Sequence, residues 1–204
     1  MAVTKTNSNR IVLSNAAYLH VTPWTDEDTI GAETIDIVNI VGDTLSFTPD
    51  DNTINAKESE FSDAPLYENI SLGKIQFAAT CIDFQNVIMK GLFGWKEVGD
   101  QHSMVAPTTY KDIFVTIEVG FKNEDTVVVV PKIKLNSKAI ISTMKTGTSE
   151  GNLSGTAYEE GLTIASNPEA STTMAFLNGT DAKSGSGTYK IKSKTFTVEQ
   201  GVVA

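Results

Sequence analysis

The chain has 204 residues, with 16 Lys plus Arg against 25 Asp plus Glu, a formal charge of -9; tight nucleic-acid binders neutralise phosphates with Lys and Arg, so a nucleic-acid grip is excluded as the leading reading. Hydrophobic residues make up 40%, enough for one well-buried core and too many for a disordered chain, so a single domain over residues 1–204 is expected. One cysteine excludes an internal disulfide and, with only two histidines, leaves too few soft ligands for a zinc or iron-sulfur site.

In chain order, β-branched residues and period-two alternation predict strands at 17–22, 36–40 and 44–48. The polar stretch 49–69 (PDDNTINAKESEFSDAPLYEN) has little strand character and is longer than most loops. It reads as a long extended loop or arm, either a mobile tip or an element that something else orders. A strand at 71–80 follows and leads into one short helix. Asp83 would cap that helix, Phe84, Val87, Ile88 and Leu92 would form its apolar stripe, and Gly94 would end it.

The strand pattern is clearest from 113 to 121. Ile113, Val115, Ile117, Val119 and Phe121 alternate with Phe114, Thr116, Glu118 and Gly120, as in a strand with one face in a core. The next strand, 126–135, opens with Val127, Val128, Val129 and Val130. Pro131 within it has no amide hydrogen for a ladder and belongs at an edge or a bulge. Strands at 138–145 and 152–158, joined through a longer hairpin loop at 146–151, and strands at 172–177 and 188–198 complete the series. The fold class expected is mainly β, a β-sandwich or barrel-like single domain with one short flanking helix.

Gly147-Thr148-Ser149-Glu150-Gly151 fits the G-x-S-x-G nucleophile elbow by letter. An elbow needs a helix after the serine and a histidine further along; a strand follows here and no histidine lies beyond Ser149. Ser71-Leu72-Gly73-Lys74 matches S-x-x-K without its companion motifs. Asp26, Glu27 and Asp28, with Glu33 and Asp36 nearby, offer carboxylates to a calcium ion but lack EF-hand spacing, and a solvated acidic loop is the simpler account. His20 and His102 have no partner at triad or metal spacing. Cys81 reads as a packed small hydrophobe, and Trp24 and Trp95 as core or interface residues sooner than a sugar platform. The N-x-S/T triplets at Asn69, Asn152 and Asn178 have no secretory signal to go with them, since residues 1–10 lack a hydrophobic stretch behind their charges. No apolar run approaches the roughly 20 residues of a membrane span. No catalytic residue, cofactor, metal or membrane partner is therefore expected.

The arrangement itself resembles a family, the major tail tube proteins of bacteriophages and prophages. Asp43 to Thr48 with the polar arm and Ala64-Pro65-Leu66-Tyr67 look like that family's early strand, extended loop and return strand. Ser71 to Trp95 looks like its strand running into one short helix, and Thr126 to Tyr158, closing on Leu153-Ser154-Gly155-Thr156-Ala157, like its proline-bearing strand pair. The resemblance leaves out the first 35 residues and the stretch from Gly161 onward. It implies a structural, non-enzymatic virion subunit, made in the host cytoplasm, that self-assembles into stacked, typically hexameric rings. These would form a tail tube, contact other tail proteins and pass DNA without binding it specifically. A surplus of acid suits such a conduit. The alternatives are another non-enzymatic β protein, either a different virion component or a surface binding module, and then a small jelly-roll enzyme.

Self-association residues follow from these readings. Val127, Val128, Val129 and Val130 would form an apolar edge that pairs with another copy. Phe61, Leu66 and Tyr67 would anchor the arm on a neighbour. Residues 1–64 hold 11 acidic and 3 basic residues, a net of -8, and residues 65–204 hold 14 and 13, a net of -1. The acidic loops, Asp26 to Asp28 and Asp50 to Asp63, would then oppose Lys190, Lys192 and Lys194, or Lys132, Lys134 and Lys138, across stacked rings. Each lysine set is expected on one face of a single strand.

Overall fold

The computed structural model describes residues 16–59, 62–71, 73–82, 84–99, 103–110, 112–121, 127–140, 149–164, 167–177 and 188–198, with the backbone alone for 53–59, 62–71, 140 and 167–170. The chain is mainly β with one helix among these residues, as its alternation predicts. Strands β1 (Ala16–Pro23), β2 (Ile35–Ile37), β3 (Ser46–Pro49), β4 (Thr53–Ser59), β5 (Ser62–Ser71) and β6 (Ile75–Cys81) precede helix α1 (Asn86–Gly91). A short pair, β7 (Lys96–Val98) and β8 (Ser103–Val105), leads to the long central strands β9 (Ile113–Phe121), β10 (Val127–Ile140) and β11 (Glu150–Tyr158). The chain then runs through β12 (Glu160–Ile164), β13 (Asn167–Thr172), β14 (Ala175–Leu177), β15 (Thr188–Ile191) and β16 (Lys194–Thr197).

The main sheet runs β2-β1-β9-β10-β11-β6-β3, with β14 on the first part of β10. It curls until its sides meet. Ile40, just past β2, bridges Cys81 at the end of β6, the Val41 amide donates to the Thr80 carbonyl at 2.8 Å, and the Ile82 amide donates to that of Asn39 at 3.1 Å. The sheet is thus a barrel closed at a narrow seam, which removes most of the unpaired edge an open sheet would present. Leu19, Val21, Phe77, Val115, Ile117 and Leu153 fill its core, and α1 adds Ile88 and Met89. A second sheet, β13-β12-β15-β16, lies on the outer face of part of the barrel. Trp24, Leu162, Tyr189, Ile191 and Phe196 form a second core there.

Strand β10 serves both cores. Val128 and Val130 point into the barrel, while Val127 and Val129 point into the second core, and each of the four is at most 2% exposed. All four pair with β9 on one side, and Val127 to Val129 pair with β14 on the other. The valine run is therefore a central strand, not the expected edge, and a four-valine run without polar alternation is what burial on both faces requires. Pro131 takes the bulge. Between the pairs Ile117↔Val130 and Val115↔Ile133, Pro131 and Lys132 together oppose Thr116, so the missing amide costs no ladder bond. The Thr116 hydroxyl donates to the Pro131 carbonyl at 2.8 Å and accepts from the Trp24 indole at 3.0 Å.

Other expectations are corrected as well. The 49–69 arm is not a loop, because β4 and β5 pair from Thr53↔Ser71 to Ser59↔Ser62 in a sheet of their own; backbone pairing needs no apolar alternation. The expected strand at 71–80 begins only at Ile75. The strands expected at 126–135 and 138–145 are one strand as far as Ile140, since Ser137 is buried with its hydroxyl on the Leu92 carbonyl. The segment 188–198 is a hairpin, with Lys192 in the turn at φ 52°. In the helix, Gln85 stands at the N-cap in place of Asp83, which lies outside the described residues. Val87 is half exposed, and Met89 takes the place expected for it in the buried stripe. Gly91 lets the helix close on β2, since a Cβ there would stand 2.4 Å from the Ile35 Cδ1.

Candidate functional site

Three regions gather chemistry, and the first is the junction between the layers. Glu118, on the second face of β9, is only 4% exposed. Its carboxylate accepts a hydrogen bond from the Tyr18 hydroxyl at 3.0 Å and one from the Tyr189 hydroxyl at 2.7 Å. A buried carboxylate needs such donors, because its desolvation is otherwise costly. His20 lies beside it, with Nδ1 3.7 Å from Glu118 and Nε2 3.7 Å from Asp36. A cavity of about 320 Å³ opens here between His20, Thr34, Asp36, Glu118 and Thr197. Tyr18 lies across the β9 backbone only because Gly120 faces it; a Cβ at 120 would fall 2.1 Å from the ring. Burial, and then the Glu118 charge and hydrogen bond, push the Tyr189 phenol well above its usual range. Both carboxylate oxygens are taken by hydroxyl donors, so Glu118 rivets β1, β9 and β15 together.

The second region is a lysine clamp around Trp24. Lys132, turned out of the barrel and onto the second core by the bulge, holds its Nζ 4.8 Å from the Trp24 ring centroid and 4.7 Å from that of Phe114, while donating to the Glu27 carbonyl at 2.8 Å. From the β15–β16 turn, Lys192 approaches Trp24 to 5.0 Å and pairs with Asp28 at 2.9 Å. Glu160 stands 3.8 Å from Lys132 and 3.7 Å from Lys192. Lys192's hydrogen bond, and then its charge, hold the Asp28 carboxyl below the usual carboxylate value. Burial pulls the Lys192 ammonium down, but Asp28 and Glu160 outweigh it and hold it above the usual value. Lys194 donates to the Gly31 and Ala32 carbonyls, and burial lowers its pKa.

These contacts correct the charge reading. The acidic loop and the lysines assigned to opposite ring surfaces meet within one subunit. Lys190, Lys192 and Lys194 do not share a strand face, since they occupy β15, the turn and β16. Nor do Lys132, Lys134 and Lys138 act together. Lys132 is buried, Lys134 pairs with Asp112 at 2.9 Å, and Lys138 is exposed. Lys190 and Lys138 remain available on the surface.

The third region is an apolar groove of about 670 Å³ where α1 ends against β7 and β8. Leu92 and Phe93 lie buried beneath it, while Val98, Val105 and Tyr110 are 54%, 53% and 39% exposed. No feature of the sequence marked Val98, Val105 or Tyr110, because two three-residue strands are too short to show a period.

The remaining sequence candidates are scattered. Leu66 and Tyr67 lie on β5, and Phe61 lies outside the described residues. Asp26 accepts the Asp28 amide and Asp28 binds Lys192, so those carboxylates do not converge; among the described residues no group of His, Cys, Asp and Glu could hold a metal ion. Ser149 is followed directly by β11, whose Gly151 packs against Phe93 and Cys81; Gly147 and Thr148 lie outside the described residues, as do His102 and Asn178. Lys74, of the S-x-x-K match, lies over the Tyr158 ring at 4.9 Å. Cys81 is fully buried. Trp24 is buried and Trp95 packs on the barrel core, which removes the sugar-platform reading. Among the described residues no helix is long and apolar enough to cross a membrane. No family model matches the chain, and neither a curated protein nor a solved structure matches it.

Proposed function

We propose that the chain is a structural, non-enzymatic subunit that self-assembles into rings stacked as a tube, of the kind the resemblance to phage major tail tube proteins implies. The observation that supports this reading is the β4–β5 hairpin, a ribbon of 7- and 10-residue strands that, among the described residues, forms a sheet with no third strand. A lone two-stranded ribbon is marginal in water and gains stability by packing on something else. Its base is fixed to the barrel. The Asp50 amide donates to the Lys74 carbonyl at 2.8 Å, the Gly73 amide donates to the Asn52 side chain at 3.0 Å, and Gln76 donates to Asp50 at 2.6 Å. A rigid closed barrel with one firmly rooted extension is a shape suited to repetition, because a head-to-tail contact can recur without closing on itself. On this reading the rings are hexameric, the tube sits in a virion tail beside other tail proteins, and the acidic wall lets DNA pass without holding it.

The test is negative-stain imaging, with light scattering, of the purified full-length chain at high concentration. Rings or tubes are expected. A strictly monomeric chain removes the proposal and leaves the surface binding module, which a glycan-array screen would then address.

A further inference from the structure

We infer that the groove between the end of α1 and the β7–β8 pair receives the β4–β5 hairpin of a second copy of this chain, an inference that rests on the self-assembly reading above. The groove is built for an apolar occupant and open to solvent. In the β7–β8 register, Lys96 opposes Val105 and Val98 opposes Ser103, and these four are exposed while Met104 turns in against the core. One face of the ribbon therefore offers two valines over a floor of Leu92 and Phe93, continued by Tyr110. Exposed valine and tyrosine grouped around a depression is the pattern of a contact surface, whereas scattered apolar residues are not.

Charge selects the occupant. Two copies at -9 each repel one another, so contact is favoured where a basic surface meets an acidic one. Lys96 is exposed on the groove and carries its positive charge, since Lys90, which also lines it, is paired with Glu97. The hairpin segment carries Glu58, Glu60, Asp63 and Glu68 against Lys57, a net of -3, together with Ile54, Phe61, Leu66, Tyr67 and Ile70. It thus combines apolar side chains with the opposite charge, the pairing that fixes register as well as affinity.

The experiment uses the full chain. Val98→Asp with Val105→Asp should lower the assembled fraction at least tenfold, read by light scattering and negative-stain images, with the thermal midpoint unchanged. Lys96→Glu should weaken assembly severalfold, and adding Glu58→Lys and Glu60→Lys to the same chain should restore it. Because the aspartates could also disturb folding, cross-linking decides independently. A chain with Val105→Cys mixed with a chain with Leu66→Cys should give a disulfide-linked heterodimer, while Phe176→Cys, exposed elsewhere, should not replace Val105→Cys in doing so. Buried Cys81 stays silent. Wild-type rings together with no cross-link, or with full assembly of the aspartate variant, overturn the groove assignment and leave self-assembly standing. A wild-type chain that never assembles overturns both.

Discussion

Tyr189 donates to Glu118 at 2.7 Å across the boundary between the barrel and the second sheet, the shorter of the two hydroxyl contacts to that carboxylate. Tyr189→Phe removes one charged hydrogen bond from a carboxylate on a side chain that is only 4% exposed. The variant should lose about 1.5–3 kcal/mol in urea unfolding. A change below about 0.5 kcal/mol would mean that the carboxylate finds another donor.

The same contact predicts an alkaline limb. The Tyr189 phenol titrates higher in the folded chain than in the unfolded one, where a tyrosine titrates near pH 10. Its contribution to stability is complete below that unfolded value and is lost as the pH rises through the folded one. The urea midpoint of the wild type should fall more steeply above about pH 10 than that of Tyr189→Phe. Parallel curves would assign the limb to other groups.

Asp28 gives the acid counterpart. The Lys192 hydrogen bond holds its carboxyl below the usual aspartate value, so the contact with Lys192 is fully present above that usual value and is lost as the pH falls through the folded one. Since Lys192 also sits over the Trp24 ring, tryptophan fluorescence should report the release. A transition below about pH 4 is expected in the wild type and absent in Asp28→Asn. Asp28 is exposed, so global stability should move little.

Two glycines separate close packing from helix propensity. At Gly120 a methyl group would meet the Tyr18 ring, which its bond to Glu118 holds in place, so Gly120→Ala should cost about 1–3 kcal/mol. At Gly91 the obstacle is the end of the Ile35 side chain, and alanine regains about 1 kcal/mol of helix propensity. Gly91→Ala should therefore stay within about 1 kcal/mol of the wild type in the same urea assay.

The valines of β10 should fail differently from those of the groove. Val128→Lys places an unpaired charge in the barrel core, where Val128 is 2% exposed, and a loss of more than about 4 kcal/mol, seen as an unfolded circular dichroism spectrum, is expected. Val98→Lys, on the exposed face of β7, should melt within a few degrees of the wild type.

What could be read from the chain alone depended on how far each signal reaches along it. Ile113 to Phe121 was legible because Val115, Ile117 and Val119 repeat at period two, and only the cover over Thr116 and Glu118 was hidden. Thr116 is covered by Trp24 and Glu118 by Tyr189 of β15, 71 residues later, and no local pattern announces either. The missing amide of Pro131 allows a bulge or an edge, and the edge expected for Val127 to Val130 is overturned because β14, far along the chain, returns to pair with Val127 to Val129. The alternation Lys190, Lys192, Lys194 continues through a turn as if it were a strand, so the hairpin was invisible until Lys192 showed its positive φ. Ion pairs such as Asp28 with Lys192, 164 residues apart, have no sequence signature. The β4–β5 ribbon was missed because its strands mix polar and apolar residues without a period.

Strand β10 has a consequence for how the chain comes apart. Its successive valines alternate between two cores, so neither core can lose its contribution without the strand leaving the other as well. The barrel and the small sheet then share one fate. Heating should produce a single transition whose calorimetric and van't Hoff enthalpies agree, with no stage in which the β13-β12-β15-β16 sheet has melted and the barrel has not. Cooperativity here is a property of one segment of backbone built into two interiors at once.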